Sequence, residues 1–370
     1  MSLPLTPGQL LEQAIREDRA EVVLQVLQST GIDVNQPCDS LRYDSVSPLM
    51  TALRAGNARI VALIAAQPRF DLTQSLPEYE RWSWVITSPL EVLQQYLGIP
   101  GSDVNQKDGN GKTLLHEVVY DLGSQEKLRE LLSRPGIIVD PEQVDGTTPL
   151  YRAGLAGNAA AFELLLERGA DVNNRNKDNL WTILICAAAG NHIAIAEELH
   201  RRPETEVNAA SDLQNTALHV AAERGHTRIV ELLLRRAEIL INPENHMGWT
   251  PLAKAAFAGH VEVVKRLLAR PEIEVNFVDQ DRQTPLFHAI SAGNLEVVRL
   301  LLADPRTNAA IGNRPARRTA HDMAVALGFT AVAELLGRHA GGADELSPRD
   351  PYVERKIEPR PIAFIDPSRK

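Results

Sequence analysis

Ten histidines, two cysteines and the stretch DGNGKT at 108–113 are the places where this chain of 370 residues could do chemistry. The hexapeptide ends in Gly-Lys-Thr, as a phosphate-cradling loop does, but that loop needs a glycine six positions before Lys112, and Gln106 stands there. Two histidines, His116 and His219, each follow a threonine by three residues. Three more, His192, His226 and His260, recur 34 residues apart. Histidines so spaced occupy slots in a repeating structure, whereas a proton-transfer or zinc site needs unlike groups that converge. Acidic pairs fare no better: Glu262 and Glu296 also lie 34 apart, which marks one solvated helix face. No catalytic residue, metal ligand or cofactor site is expected, and the chain reads as a non-enzyme.

Bulk charge narrows the partners. A net charge of −9 gives no basic field to hold phosphate backbones or anionic lipid, so neither nucleic acid nor membrane is expected as a direct partner. The two cysteines, Cys38 and Cys186, are too sparse for a disulfide framework or a metal cluster, which suits a reducing compartment. Met1 to Gln13 lacks a basic segment followed by an apolar run, and no stretch approaches 18 uninterrupted apolar residues. A monomer in the cytosol or nucleus is the expectation.

The elements that carry these slots follow one period. A hydroxyl residue followed by an apolar pair recurs at Ser47, Thr113, Thr148, Thr182, Thr216, Thr250, Thr284 and Thr319, in steps of 34 or 35 from Thr113 onward. The gap from Ser47 to Thr113 holds two steps and one blurred unit. Each hydroxyl can cap a helix, and Pro48, Pro149, Pro251 and Pro285 follow at the first helical position, where a missing N–H costs nothing. Small pairs such as Ala187-Ala188, Ala221-Ala222 and Ala255-Ala256 permit close helix approach. Gly157, Gly225, Gly259, Gly293 and Gly328 then end the helix in a left-handed conformation. A second helix begins at once, with apolar stripes such as Val230, Leu233 and Leu234, or Val264, Leu267 and Leu268. Extended exits such as ADVN at 170–173 lead to the next tight turn.

This grammar resembles the ankyrin repeat, most closely in TALHVAAERGHTRIVELLL from Thr216 and TPLAKAAFAGHVEVVKRLL from Thr250. Arg134-Pro135, Arg202-Pro203, Arg270-Pro271 and Asp304-Pro305 replace the usual Gly-Ala turn, a departure that is similar to ankyrin arrays common in filamentous fungi. The resemblance implies an all-α solenoid of about ten helix-turn-helix units over residues 8–340. It also implies that His116 and His219 make stabilising hydrogen bonds between neighbouring turns. An N-terminal cap is assigned to 8–36. Repeats follow near 44–73, 79–105, 109–140, 144–173, 178–208, 212–242, 246–276 and 280–310, and a C-terminal cap at 315–340. In the blurred unit, LEVLQQYL at 90–97 is read as the second helix, which puts Trp82 and Trp84 on a short first helix or a bulge, as core or as an exposed contact. Residues 341–370, with five prolines and six charges of each sign, read as a mobile tail; KIEPRPIAF within it could be a short binding motif.

In this architecture a partner meets the turn tips and the exposed side of the first helices. Those slots hold Trp181, Leu213, Met247 and Trp249 on the turns, and Tyr120, Leu155, Arg224 and Phe257 late in the first helices. Aromatic and apolar side chains gathered there would make an interface hot spot. The leading expectation is an intracellular adaptor or scaffold that binds a protein. A transcription co-regulator acting through a DNA-bound partner, and an enzyme or enzyme-supporting subunit, are the alternatives.

Overall fold

The computed structural model describes residues 5–29, 31–37, 46–76, 82–312 and 318–340. These form 21 helices arranged as ten stacked units. The inner row is α1 (Pro7–Arg16), α3 (Pro48–Ala55), the short α6 (Trp84–Thr87), α8 (Leu114–Val118), α10 (Pro149–Ala156), α12 (Ile183–Gly190), α14 (Ala217–Arg224), α16 (Pro251–Ala258), α18 (Pro285–Ser291) and α20 (Ala320–Ala326). Behind it run α2 (Ala20–Ser29), α4 (Ala58–Ala65), α7 (Leu90–Leu97), α9 (Gln125–Leu132), α11 (Ala159–Leu166), α13 (Ile193–Arg201), α15 (Thr227–Leu234), α17 (Val261–Leu268), α19 (Leu295–Ala303) and α21 (Thr330–Ala340). The four-residue α5 (Leu72–Ser75) precedes α6. From α12 to α18 the inner helices pack on one another more closely than the outer ones, with the small pairs Ala187-Ala188, Ala221-Ala222 and Ala255-Ala256 buried there.

The hydroxyls cap as their spacing predicts. Ser47, Thr148, Thr182, Thr250 and Thr284 each accept a hydrogen bond from the backbone N–H three residues on, at 3.2–3.4 Å. Losing one such cap costs about 1 kcal/mol. The first unit, assigned to 8–36, has its inner helix start just before that range. Thr6 caps α1 and Pro7 fills its first position; Gly8 and Gln9 stand where the apolar pair would be, and the pattern was hidden for that reason. Left-handed glycines close the inner helices at Gly157, Gly225 and Gly259, and Asn191 does so in the unit where glycine falls one position early.

The blurred unit keeps its second helix at α7, with Trp82 and Trp84 both buried. Their rings meet Tyr96 at 6.0 and 5.3 Å between centroids. Lys127 from α9 donates to the carbonyls of Val85 and Ile86 at 2.6 and 3.0 Å, closing the short α6. The core is one continuous strip from Leu11 to Leu336. Most of the loop at 37–46, with Cys38, and the segment 341–370 lie outside the described residues.

Candidate partner-binding groove

Three hydrogen-bond ladders fix the units against one another and so position the groove. The first runs through the tips, where Val144 donates its N–H to the Asn110 carbonyl, Asp212 to Asn179 and His246 to Leu213, at 3.0–3.1 Å. The second runs through the residue after each inter-helix turn. His192, His226 and His260 place a ring nitrogen at 3.2, 2.7 and 2.9 Å from the carbonyls of Leu155, Ala188 and Glu223 in the preceding unit. Asn158 and Asn294 do the same work with an amide. In the third, connector asparagines donate forward and accept back: Asn208 donates to the Glu238 carbonyl at 2.7 Å and accepts from the Leu240 N–H at 2.8 Å, and Asn105, Asn173, Asn242 and Asn276 repeat the pattern.

The two threonine-linked histidines are buried and use both ring nitrogens. Nδ1 of His116 sits 3.0 Å from the Thr113 hydroxyl and Nε2 reaches the Thr147 carbonyl at 3.2 Å; His219 spans Thr216 and the Trp249 carbonyl in the same way, at 3.0 and 2.9 Å. Burial lowers both to about 4, only partly offset by the carbonyl each one meets, so both rings are neutral at pH 7. Cys186 is also withdrawn from chemistry, since burial pushes its thiol up to about 11. Among the described residues no group of three His, Cys, Asp or Glu side chains could hold a metal ion, and no helix is long and apolar enough to cross a membrane.

The tips themselves rest on a residue type that the sequence reading passed over. Five positions before the capping threonine, Asp108, Asn245 and Asp279 each accept two backbone N–H groups of their own turn; Asn245, for example, takes those of Met247 and Trp249 at 3.0 Å. A short acceptor recurring at that offset was the available signal.

Of the residues singled out for a partner, Met247 and Phe257 are 47% and 48% exposed. Leu155, Leu213, Tyr120 and Arg224 are exposed as well, and Arg152 lies over the Tyr120 ring at 5.2 Å. Trp249 and Trp181 are only half-buried residues at the groove wall. The Trp249 ring packs at 5.3 Å from Phe257 and 4.0 Å from His288, with Lys254 Nζ above it at 5.3 Å and Lys254 itself tied to Glu223 at 3.1 Å. Under this patch, buried His288 places Nε2 3.0 Å from the Asp279 carboxylate, which holds the turn of the next unit. The structure therefore brings Trp249 and Phe257 together, with exposed Met247 two residues before Trp249 on the same turn, while Tyr120 and Leu155 lie three and more units away. An open depression of about 330 Å³ between two connectors, lined by Ile239, Leu240, Arg270 and Glu272 among others, includes no tip residue.

A family model for ankyrin repeats matches residues 84–176, 183–279 and 271–346. The chain is 37% identical over 73 residues to delta-latroinsectotoxin-Lt1a of Latrodectus tredecimguttatus, covering 20% of this chain and 6% of the toxin. It is 39% identical over 87 residues to the human SMC5-SMC6 complex localization factor protein 1, covering 24% of this chain and 8% of that one. It is 28% identical over 178 residues to the putative palmitoyltransferase ZDHHC13 of Danio rerio, covering 47% and 26%. The chain thus spans at most about a quarter of the length of these relatives. With ten stacked units and the family pattern found three times along most of its length, the chain belongs to the ankyrin-repeat family, whose repeats generally mediate protein–protein interaction.

Proposed function

We propose that this chain is a monomeric intracellular adaptor that holds a partner protein against the concave side of its array, without chemistry of its own. The observation that carries the reading is the patch at α16, where exposed Phe257 packs on a Trp249 ring already fixed by His288 and Lys254, and where Met247, two residues before Trp249 on the same turn, is exposed as well. A pre-set aromatic anchor with exposed apolar neighbours loses little side-chain entropy when a partner covers it. His116, His192, His219, His226 and His260 fit a binding role too, since each spends a ring nitrogen on a carbonyl of a neighbouring unit.

Met247→Ala combined with Phe257→Ala should weaken partner affinity by about 2 kcal/mol, roughly 30-fold, with little change in thermal midpoint. Affinity capture with quantitative mass spectrometry, followed by titration of the recovered partner, measures this. Unchanged affinity, or a loss that merely tracks a lower midpoint, would falsify the reading. Trp249→Ala is the poorer probe, because its ring also packs inside the array.

A further inference from the structure

Tyr120 and Leu155, remote from the α16 patch, belong to a second one. α8 stops at Val118, and the chain leaves it with Tyr120 at 50% and Leu122 at 65% exposure. The next inner helix, α10, lies against this segment at two points. Arg152 holds its guanidinium 5.2 Å from the centre of the Tyr120 ring. Asn158, which caps α11, donates its amide to the carbonyls of Val119 and Asp121 at 3.0 and 3.2 Å. Leu155 stands three residues from each of these contacts, on the same side of α10 as Arg152, and is 49% exposed. One arginine is thus bordered by three exposed apolar side chains.

That arginine has no counter-charge. Arg152 forms no ion pair with any described residue. The acids of the segment before it are already engaged, Glu117 with Lys112, and Asp121 with the Ser124 hydroxyl and the Gly123 N–H. Of the guanidinium nitrogens only Nε is enclosed without a partner, which leaves the Nη pair open to an incoming acceptor. A guanidinium stacked on a ring has given up much of its rotamer freedom, and its fork matches the two oxygens of a carboxylate. Although the chain carries −9 overall, the complement of this spot is an acid.

We propose that units four and five take a segment of the partner protein in which one Asp or Glu is flanked by leucine-like side chains. The carboxylate pairs with the Nη atoms of Arg152, and the apolar side chains cover Tyr120, Leu122 and Leu155. This inference rests on the array being a protein-binding surface, and it adds a second contact and the chemistry of the segment that fits it.

The test titrates the full chain into the fluorescein-labelled peptide Gly-Leu-Leu-Glu-Leu-Leu-Gly and reads anisotropy. Saturable binding is expected, at least about tenfold tighter than for the peptide with Gln in place of Glu. Arg152→Glu should weaken the Glu peptide at least about tenfold and reverse the preference toward a peptide with Lys at that place. Leu122→Ser, at a side chain exposed enough to leave the fold intact, should weaken binding about fivefold, and it keeps the test decisive if Arg152→Glu lowers the thermal midpoint. No binding, equal binding of the Glu and Gln peptides, or affinity indifferent to Leu122→Ser overturns the proposal. If the Glu peptide does not bind while Met247→Ala and Phe257→Ala still weaken partner capture, this inference falls and the adaptor reading stands. The reverse pattern removes the α16 patch and leaves this site.

Discussion

Trp82 does at one joint what a histidine does at two others. Its indole N–H donates to the Lys112 carbonyl at 2.8 Å, the residue before a capping threonine, just as His116 reaches Thr147 and His219 reaches Trp249. The role of the two histidines was legible because they stand at a fixed offset from a threonine. That of Trp82 was not, since its unit lacks the threonine and a different ring reaches the same carbonyl. Buried neutral histidines also set a pH dependence. Their folded pKa of about 4 lies below the ordinary 6.5, so between these values the unfolded chain binds more protons and stability falls as pH falls. Each ring accounts for at most about 3 kcal/mol over that window. Urea denaturation of the double variant His116→Gln, His219→Gln should therefore show a lower midpoint than the parent at pH 7 and a shallower decline from pH 6.5 to 4.5; parallel declines would count against the assignment.

At the scale of elements, capped and alternating helices were readable because each start, stop and stripe is written in local residue types. The start of the first unit at Thr6 and the four-residue α5 were not, because packing from neighbouring units sustains helices that local propensity would leave unformed. The groove was readable in part: Met247 and Phe257 are exposed, whereas the degree to which Trp249 turns into the stack depends on His288, which comes from the next unit. Connectors show the same dependence. Asp140 stands in a slot that asparagine fills elsewhere; its Oδ2 accepts the Asp171 N–H at 2.9 Å, while buried Oδ1 has no partner. Burial, with the nearby Asp171 charge, raises its carboxyl. A raised acid favours the folded state only when protonated, so the cost is present at neutral pH and fades as pH drops. Asp140→Asn restores a donor aimed at the Gly169 carbonyl and should add about 1 kcal/mol at pH 7, with less gain under acid conditions. Chemical denaturation at both pH values decides it, and no gain at neutral pH would refute the account.

For the whole molecule, each unit touches chiefly its neighbours, so stability is a sum of units and joints. The joint around α6 is the shortest helical contact in the row and depends on Trp82, Trp84 and Tyr96. Tyr96→Ala removes the ring that both indoles pack against, a loss of about 3–5 kcal/mol by analogy with other large aromatic truncations. Unfolding followed by circular dichroism should then split into two transitions, the earlier one belonging to residues before about 113. A single transition shifted as a whole would mean that the joint is not the weak point.

From Asn105 onward the connector asparagines bridge nearly the same number of residues, 30 to 33. A chain shortened by one full period at such a junction would bring like ends together: without 209–242, Asn208 would face the carbonyl of Glu272 in place of Glu238. Because the asparagine rungs are interchangeable with one another, the architecture tolerates gain or loss of whole units between them, and the length of the surface can be changed without redesigning the bonds that hold it.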